Sequence, residues 1–228
     1  MLHCLHLLYI ASPALPIGGF AWSHGLAQAI EAKWVRDEAT LRDWLATVLQ
    51  YGLGRADLPL LLRAYQAASE RNAEDFSRWN SLIFAGRESA ELWLEEREIG
   101  QAIKRLLLAQ RLMPAWLDAK EEWGHVAAFA LLAAQLEGAD AAGNGGMAAS
   151  VAAAYAWSWL ENQIAAATKC MPLGQNAAQA IALRLLEDIP PLVATAGVLP
   201  DDEIGASLHG LAIASSRHEE LHSRMFRS

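Results

Sequence analysis

Apolar positions recur at helical spacing along almost the whole chain. Asp37 can cap a helix in which Leu41, Trp44, Leu45, Val48 and Leu49 share one face. A second helix is predicted from Asp57-Leu-Pro, with Pro59 in its first turn and Leu62, Tyr65 and Gln66 following. Phe76, Trp79, Leu82 and Ile83 mark a third over residues 75–85. A long helix over 88–112 carries the stripe Leu92, Ile99, Ile103, Leu106 and Leu107, while Glu91, Glu95 and Glu98 line a neighbouring solvated face. Glu96 falls inside the apolar stripe and needs a partner there. Helices follow over 123–137 and 148–170, separated by the loop Gly143-Asn-Gly-Gly. Another spans 176–187 and is ended by Pro190-Pro191, and a last one runs through 203–214. A shorter helix over 22–30 follows an irregular stretch, Ser12-Pro-Ala-Leu-Pro-Ile-Gly-Gly-Phe, whose two prolines and two glycines restrict it to non-helical backbone.

No strand is predicted: Val and Ile sit at helical spacing, and no Asn-Gly turn has alternating flanks. No repeat and no long linker breaks the pattern. The expectation is one all-α domain over 1–228, a bundle of about ten helices, with flexible residues 1–8 and a terminal docking segment, 217–228.

Composition narrows the partners. Hydrophobic residues make up 54% of the 228 and charged residues 19%, enough for a sizeable core and too apolar for disorder. A formal net charge of −8 repels nucleic-acid phosphate and anionic lipid, so neither is an expected partner. The apolar stretches at 126–134 and 147–160 are too short to span a bilayer. The N-terminus lacks the basic region of a secretory signal, and Cys4 and Cys170 form no CxxC pair. The chain reads as cytoplasmic and reducing.

Several clusters invite a chemical reading. His218-Glu-Glu-Leu-His222 has the form H-E-x-x-H, which on a helix aligns two imidazoles for zinc with Glu219 as general base. A catalytic zinc needs a third ligand, and residues 223–228 offer none, so a zinc hydrolase is the alternative and a solvated or partner-facing helix the default. His3, Cys4 and His6 are candidate soft-metal ligands, for nickel carriage for instance, against the plainer reading of a frayed terminus. Gly18-Gly19 has no following lysine and is not a phosphate loop, and Ser23 with His24 lacks a nucleophile elbow. Lys169 stands at a helix end, where a lysine ordinarily complements the helix dipole. Trp157 and Trp159 cannot share one helical face, so one of them is a candidate interface residue. No cofactor is expected.

Five segments, in order along the chain, resemble the urease accessory protein UreF family. They are Ser12-Pro-Ala-Leu-Pro-Ile-Gly-Gly-Phe-Ala-Trp-Ser-His-Gly-Leu, Asp57-Leu-Pro-Leu, Arg87-Glu-Ser-Ala-Glu-Leu-Trp-Leu-Glu-Glu-Arg-Glu-Ile-Gly, Ala167-Thr-Lys-Cys-Met-Pro-Leu-Gly-Gln, and the terminal Ala214-Ser-Ser-Arg-His-Glu-Glu-Leu-His-Ser-Arg-Met-Phe-Arg-Ser. The resemblance implies an all-α protein with no catalysis of its own. It implies a homodimer bound to the accessory protein UreD (also called UreH), which recruits the GTPase UreG and helps deliver nickel to apo-urease. Modulation of the GTPase and control of metal fidelity are both readings the family has been given.

Residue by residue, the resemblance makes Lys169, Pro172, Gly174 and Gln175 candidates for a surface near the GTPase. It makes Arg217, His218, Glu219, Arg224, Phe226 and Arg227 candidates for contact with UreD. His222 stands where the family has an aromatic residue, and that difference alone creates the H-E-x-x-H string. A docking role suits the chemistry: Arg224 and Arg227 offer planar multidentate donors around Phe226, a buriable anchor, on a segment expected to be mobile until a partner arrives.

Overall fold

The computed structural model describes residues 1–138, 145–220 and 225–227. Among them there is no strand. The α-helices are α1 (Leu2–Ile10), α2 (Leu26–Glu31), α3 (Glu38–Thr47), α4 (Leu58–Ser69), α5 (Ala73–Ala85), α6 (Ala90–Ala109), α7 (His125–Glu137), α8 (Gly145–Cys170), α9 (Gln175–Leu186), α10 (Ile189–Val198) and α11 (His209–Ser216). A π-helical stretch, Val48–Asp57, joins α3 to α4.

The centre of the bundle is α7. It is apolar all round rather than on one stripe, and a helix of that kind has to be enclosed. Every residue from Val126 to Ala134 is buried. Its alanines let α4 and α6 approach closely, and α1, α5 and α8 complete the enclosure. The closest approach is at Gly100 on α6, where a methyl group would overlap the Trp123 carbonyl oxygen. The turn entering α7 is pinned from α5 and α6. Asn80 donates to the Glu122 carbonyl (2.8 Å) and accepts from Gly124 N–H (2.9 Å), and Lys104 donates to the Glu121 carbonyl.

Caps explain the helix starts that the sequence announces. Asp37 accepts from Thr40 N–H at 2.8 Å, and Asn72 and Ser89 cap α5 and α6 in the same way. Four features differ from the expected pattern. The helix after Trp22 starts only at Leu26, because His24 and Gly25 both take left-handed backbone (φ 53° and 78°). Pro190-Pro191 does not merely end α9: it opens α10, where a first-turn proline forfeits no helical hydrogen bond. The segment before α11 is a 3₁₀ turn (Asp201–Glu203) followed by non-helical chain to Leu208. It is strapped down by Arg63, which donates to the Ala196 and Leu199 carbonyls (3.3 and 2.5 Å) and to Asp201, and by Gly205 N–H on the Arg55 carbonyl (2.9 Å). Residues 1–8, expected to be flexible, fall almost wholly within α1, where His3 and His6 both place Nδ1 against Glu137 Oε1 (2.9 and 3.2 Å).

The Gly100 contact is directly testable. Gly100→Ala should destabilise the protein by roughly 2 kcal/mol or more, since backbone rather than a movable side chain meets the new methyl. Urea denaturation with an unchanged m-value would register it.

Candidate functional site

Three of the five motif segments meet inside the bundle. The π-helical stretch ends at Asp57, which is 5% exposed, and α6 places Glu96, 4% exposed, opposite it. Arg87, from the loop before α6, lies between them. It donates to Asp57 Oδ1 (2.9 Å) and, through Nη2 and Nε, to Glu96 Oε2 (2.6 and 3.1 Å). Tyr155 on α8 donates its hydroxyl to Asp57 Oδ2 (3.2 Å), and Val126 N–H donates to Glu96 Oε1 (2.9 Å). The partner that the position of Glu96 demands is thus Arg87. The first turn of α7 closes over the same carboxylate: a methyl at Gly124 would lie 2.5 Å from Glu96 Oε1.

Each charge depends on the others. Burial works against ionising Asp57, but the Arg87 charge and hydrogen bonds outweigh it and hold the carboxyl below its ordinary range. Burial and the neighbouring Asp57 charge raise Glu96. Burial alone would ease the proton off Arg87, yet the two carboxylates raise it well above the ordinary guanidinium. Burial and Asp57 likewise keep the Tyr155 phenol protonated. His125 stands beside Tyr155, with ring planes tilted by 49° and ring centres 5.1 Å apart, and burial pushes its imidazole down to about 4.

The network lines a small cavity of about 50 Å³, which His24, Glu95, Trp159 and Asn162 also border. That is room for a few water molecules at roughly 10–15 Å³ each, and far too little for a nucleotide. Asn162 Oδ1 and Trp159 Nε1 are buried without a protein partner. His24 reaches the cavity from its left-handed backbone and sets Nδ1 3.2 Å from Glu95 Oε1. Glu95 is therefore inside, not on the solvated face predicted for it.

The other two motif segments meet at a second place, around Phe226. Its ring is 5% exposed, and Lys169 Nζ lies 5.6 Å from the ring centre. The Phe226 carbonyl lies 3.0 Å from Nε2 of His218, Arg227 N–H donates to the Ala21 carbonyl (2.8 Å), and the Arg227 guanidinium stands over the Trp22 ring at 5.9 Å. The phenylalanine expected on a free segment is packed on its own chain. Arg217, Glu219, Met225 and Arg227 are exposed around it, as are Lys169, Pro172, Gly174 and Gln175 on the α8–α9 side, where Gly174 is the N-cap of α9. Arg224 and His222 lie outside the described residues.

His218 corrects the surface reading of H-E-x-x-H. It is 2% exposed, and a carbonyl can only accept, so Nε2 carries the proton and faces no ligand site. Among the described residues no group of three or more His, Cys, Asp or Glu side chains is arranged to hold a metal. No described helix is long and apolar enough to cross a membrane.

Acid should unfold the protein early. His125 binds its proton at about 4 in the fold and near 6.5 unfolded, so protonation favours the unfolded chain. The stability is fully present above pH 6.5 and is lost as pH falls toward 4, by up to roughly 3 kcal/mol. Urea midpoints across that range should fall for the native chain and flatten for His125→Phe.

Comparison with known proteins agrees with the family resemblance of the sequence. The UreF family model matches residues 35–186. A urease accessory protein UreF from Teredinibacter turnerae is 41% identical over 224 residues, covering 98% of each chain. One from Chromohalobacter salexigens is 43% identical over 222 residues, covering 97% of this chain and 93% of its own. A third, from Pseudomonas putida, is 40% identical over 236 aligned positions, covering 98% and 97%. With the profile matched over its central two-thirds and relatives aligned nearly end to end, the chain belongs to the UreF family.

Proposed function

We propose that this chain is a non-catalytic urease maturation factor that works in the cytoplasm by binding other proteins. Its partners in this reading are UreD (UreH), the GTPase UreG and apo-urease, with nickel as cargo delivered to urease and a homodimer as the working unit. The name carried by its relatives, urease accessory protein, supports the maturation role. The observation that carries the binding role is the meeting of two motif segments at Phe226, with exposed Lys169 on one side and exposed Arg217 and Arg227 on the other. In this reading 217–228 meets UreD, and the Lys169–Gln175 side, steadied by the packed Phe226, meets UreG and modulates its GTPase. A desolvated aromatic flanked by arginines is a common energetic centre of an interface.

Co-purification with UreD, UreG and apo-urease, read by nickel-dependent urease activation, tests this. Deleting 217–228 should abolish UreD capture and activation, whereas Lys169→Ala should retain UreD and lose UreG. Full UreD capture after the deletion would refute the assignment of the segment.

A further inference from the structure

The docking element is held in register by a tripeptide far from it in sequence, Arg87-Glu88-Ser89. Arg87 is fixed by the two buried carboxylates, so the two residues that follow leave the core at a set position. Glu88 accepts from Ser207 Oγ (2.7 Å) and, through its other oxygen, from Leu208 N–H (3.0 Å). Leu208 is the N-cap of α11 and offers no side-chain cap of its own, so Glu88 is what meets the approach to that helix. Ser89 caps α6 and sets its hydroxyl 2.8 Å from that of Ser215, which is fully buried on α11. Gly25 lies so close to the same helix that a methyl there would stand 3.3 Å from Ser215 N.

An eight-residue helix has little stability of its own, so tertiary contacts decide where α11 lies. The chain leaving α11 turns directly into His218, whose ring meets the Phe226 carbonyl. A shift of α11 therefore moves the seat of Phe226. We propose that Glu88 and Ser89 are positioning residues for the terminal docking element, acting through α11 without touching the partner. This deepens the assignment of 217–228 to UreD and rests on it.

Glu88 is exposed, so Glu88→Ala should still fold, with its melting temperature lowered by only a few degrees. Amide exchange across 208–218 and 225–227 should quicken about tenfold, the factor expected for losing hydrogen bonds to a charged acceptor, and UreD affinity should fall by a similar factor. Glu88→Gln should restore both, because its carbonyl accepts from Leu208 N–H while the Ser207 hydroxyl turns to accept from its amide. Native exchange and native UreD affinity in Glu88→Ala would overturn the proposal, as would loss without rescue by Gln. Deleting 217–228 separates the two ideas. If the deletion spares UreD binding, the docking assignment fails, while faster exchange in Glu88→Ala would still establish the positioning. If the deletion removes binding and Glu88→Ala changes nothing, the positioning alone fails.

Discussion

A guanidinium buried between two carboxylates is an expensive arrangement unless every donor and acceptor is used. Arg87 places three of its five N–H donors on Asp57 and Glu96, and Tyr155 and Val126 take up the remaining carboxylate oxygens. Desolvating such groups costs several kcal/mol each, so the network adds little to net stability, but removing one member strands a charge at a cost of about 3–5 kcal/mol. That asymmetry makes the network a constraint on geometry. It ties the end of the π-helical stretch, the loop before α6, the first turn of α7 and the middle of α8 to one point.

Much else takes its position from there. The carboxylate of Glu96 receives the first turn of α7, and Gly100 and Gly124 leave the room for that approach. Arg87 sets the exit of Glu88 and Ser89 toward α11. The neighbouring pair His24 and Glu95 holds the left-handed turn whose flanks are Trp22, under Arg227, and Gly25, against α11. The buried network and the surface around Phe226 are thus parts of one construction, joined through residues 22–25 and 87–89.

Periodicity made most of the helices legible and Asp37 announced one start, whereas the caps at Asn72 and Ser89 show only in the local hydrogen bonds. Backbone effects without a periodic signature were not legible. Nothing in residues 48–57 distinguishes a π-helical register from an α-helical one, and a proline pair reads equally as a stop or as a first turn. Left-handed His24 pairs with a carboxylate 71 residues away, a contact that no local pattern announces. The site was half visible. Glu96 in an apolar stripe pointed to a buried partner, and the motif strings contain Asp57, Arg87 and Glu95. Their convergence is tertiary, so His125 and Tyr155, which lie outside the motif strings, gave no signal. His218 misled because burial, not spacing, decides which atom of an imidazole is free.

The claim that the buried network sets the terminal segment is tested most directly by replacing the whole network with neutral groups, Asp57→Asn, Arg87→Met and Glu96→Gln together, so that no charge is stranded. Hydrogen exchange of this variant should be compared with Leu131→Ala, a cavity variant in α7 that loosens the core without touching the network. The account predicts that residues 22–25, α11 and 225–227 lose protection selectively in the neutral variant and keep it in Leu131→Ala. Equal protection of those residues in both variants would contradict it.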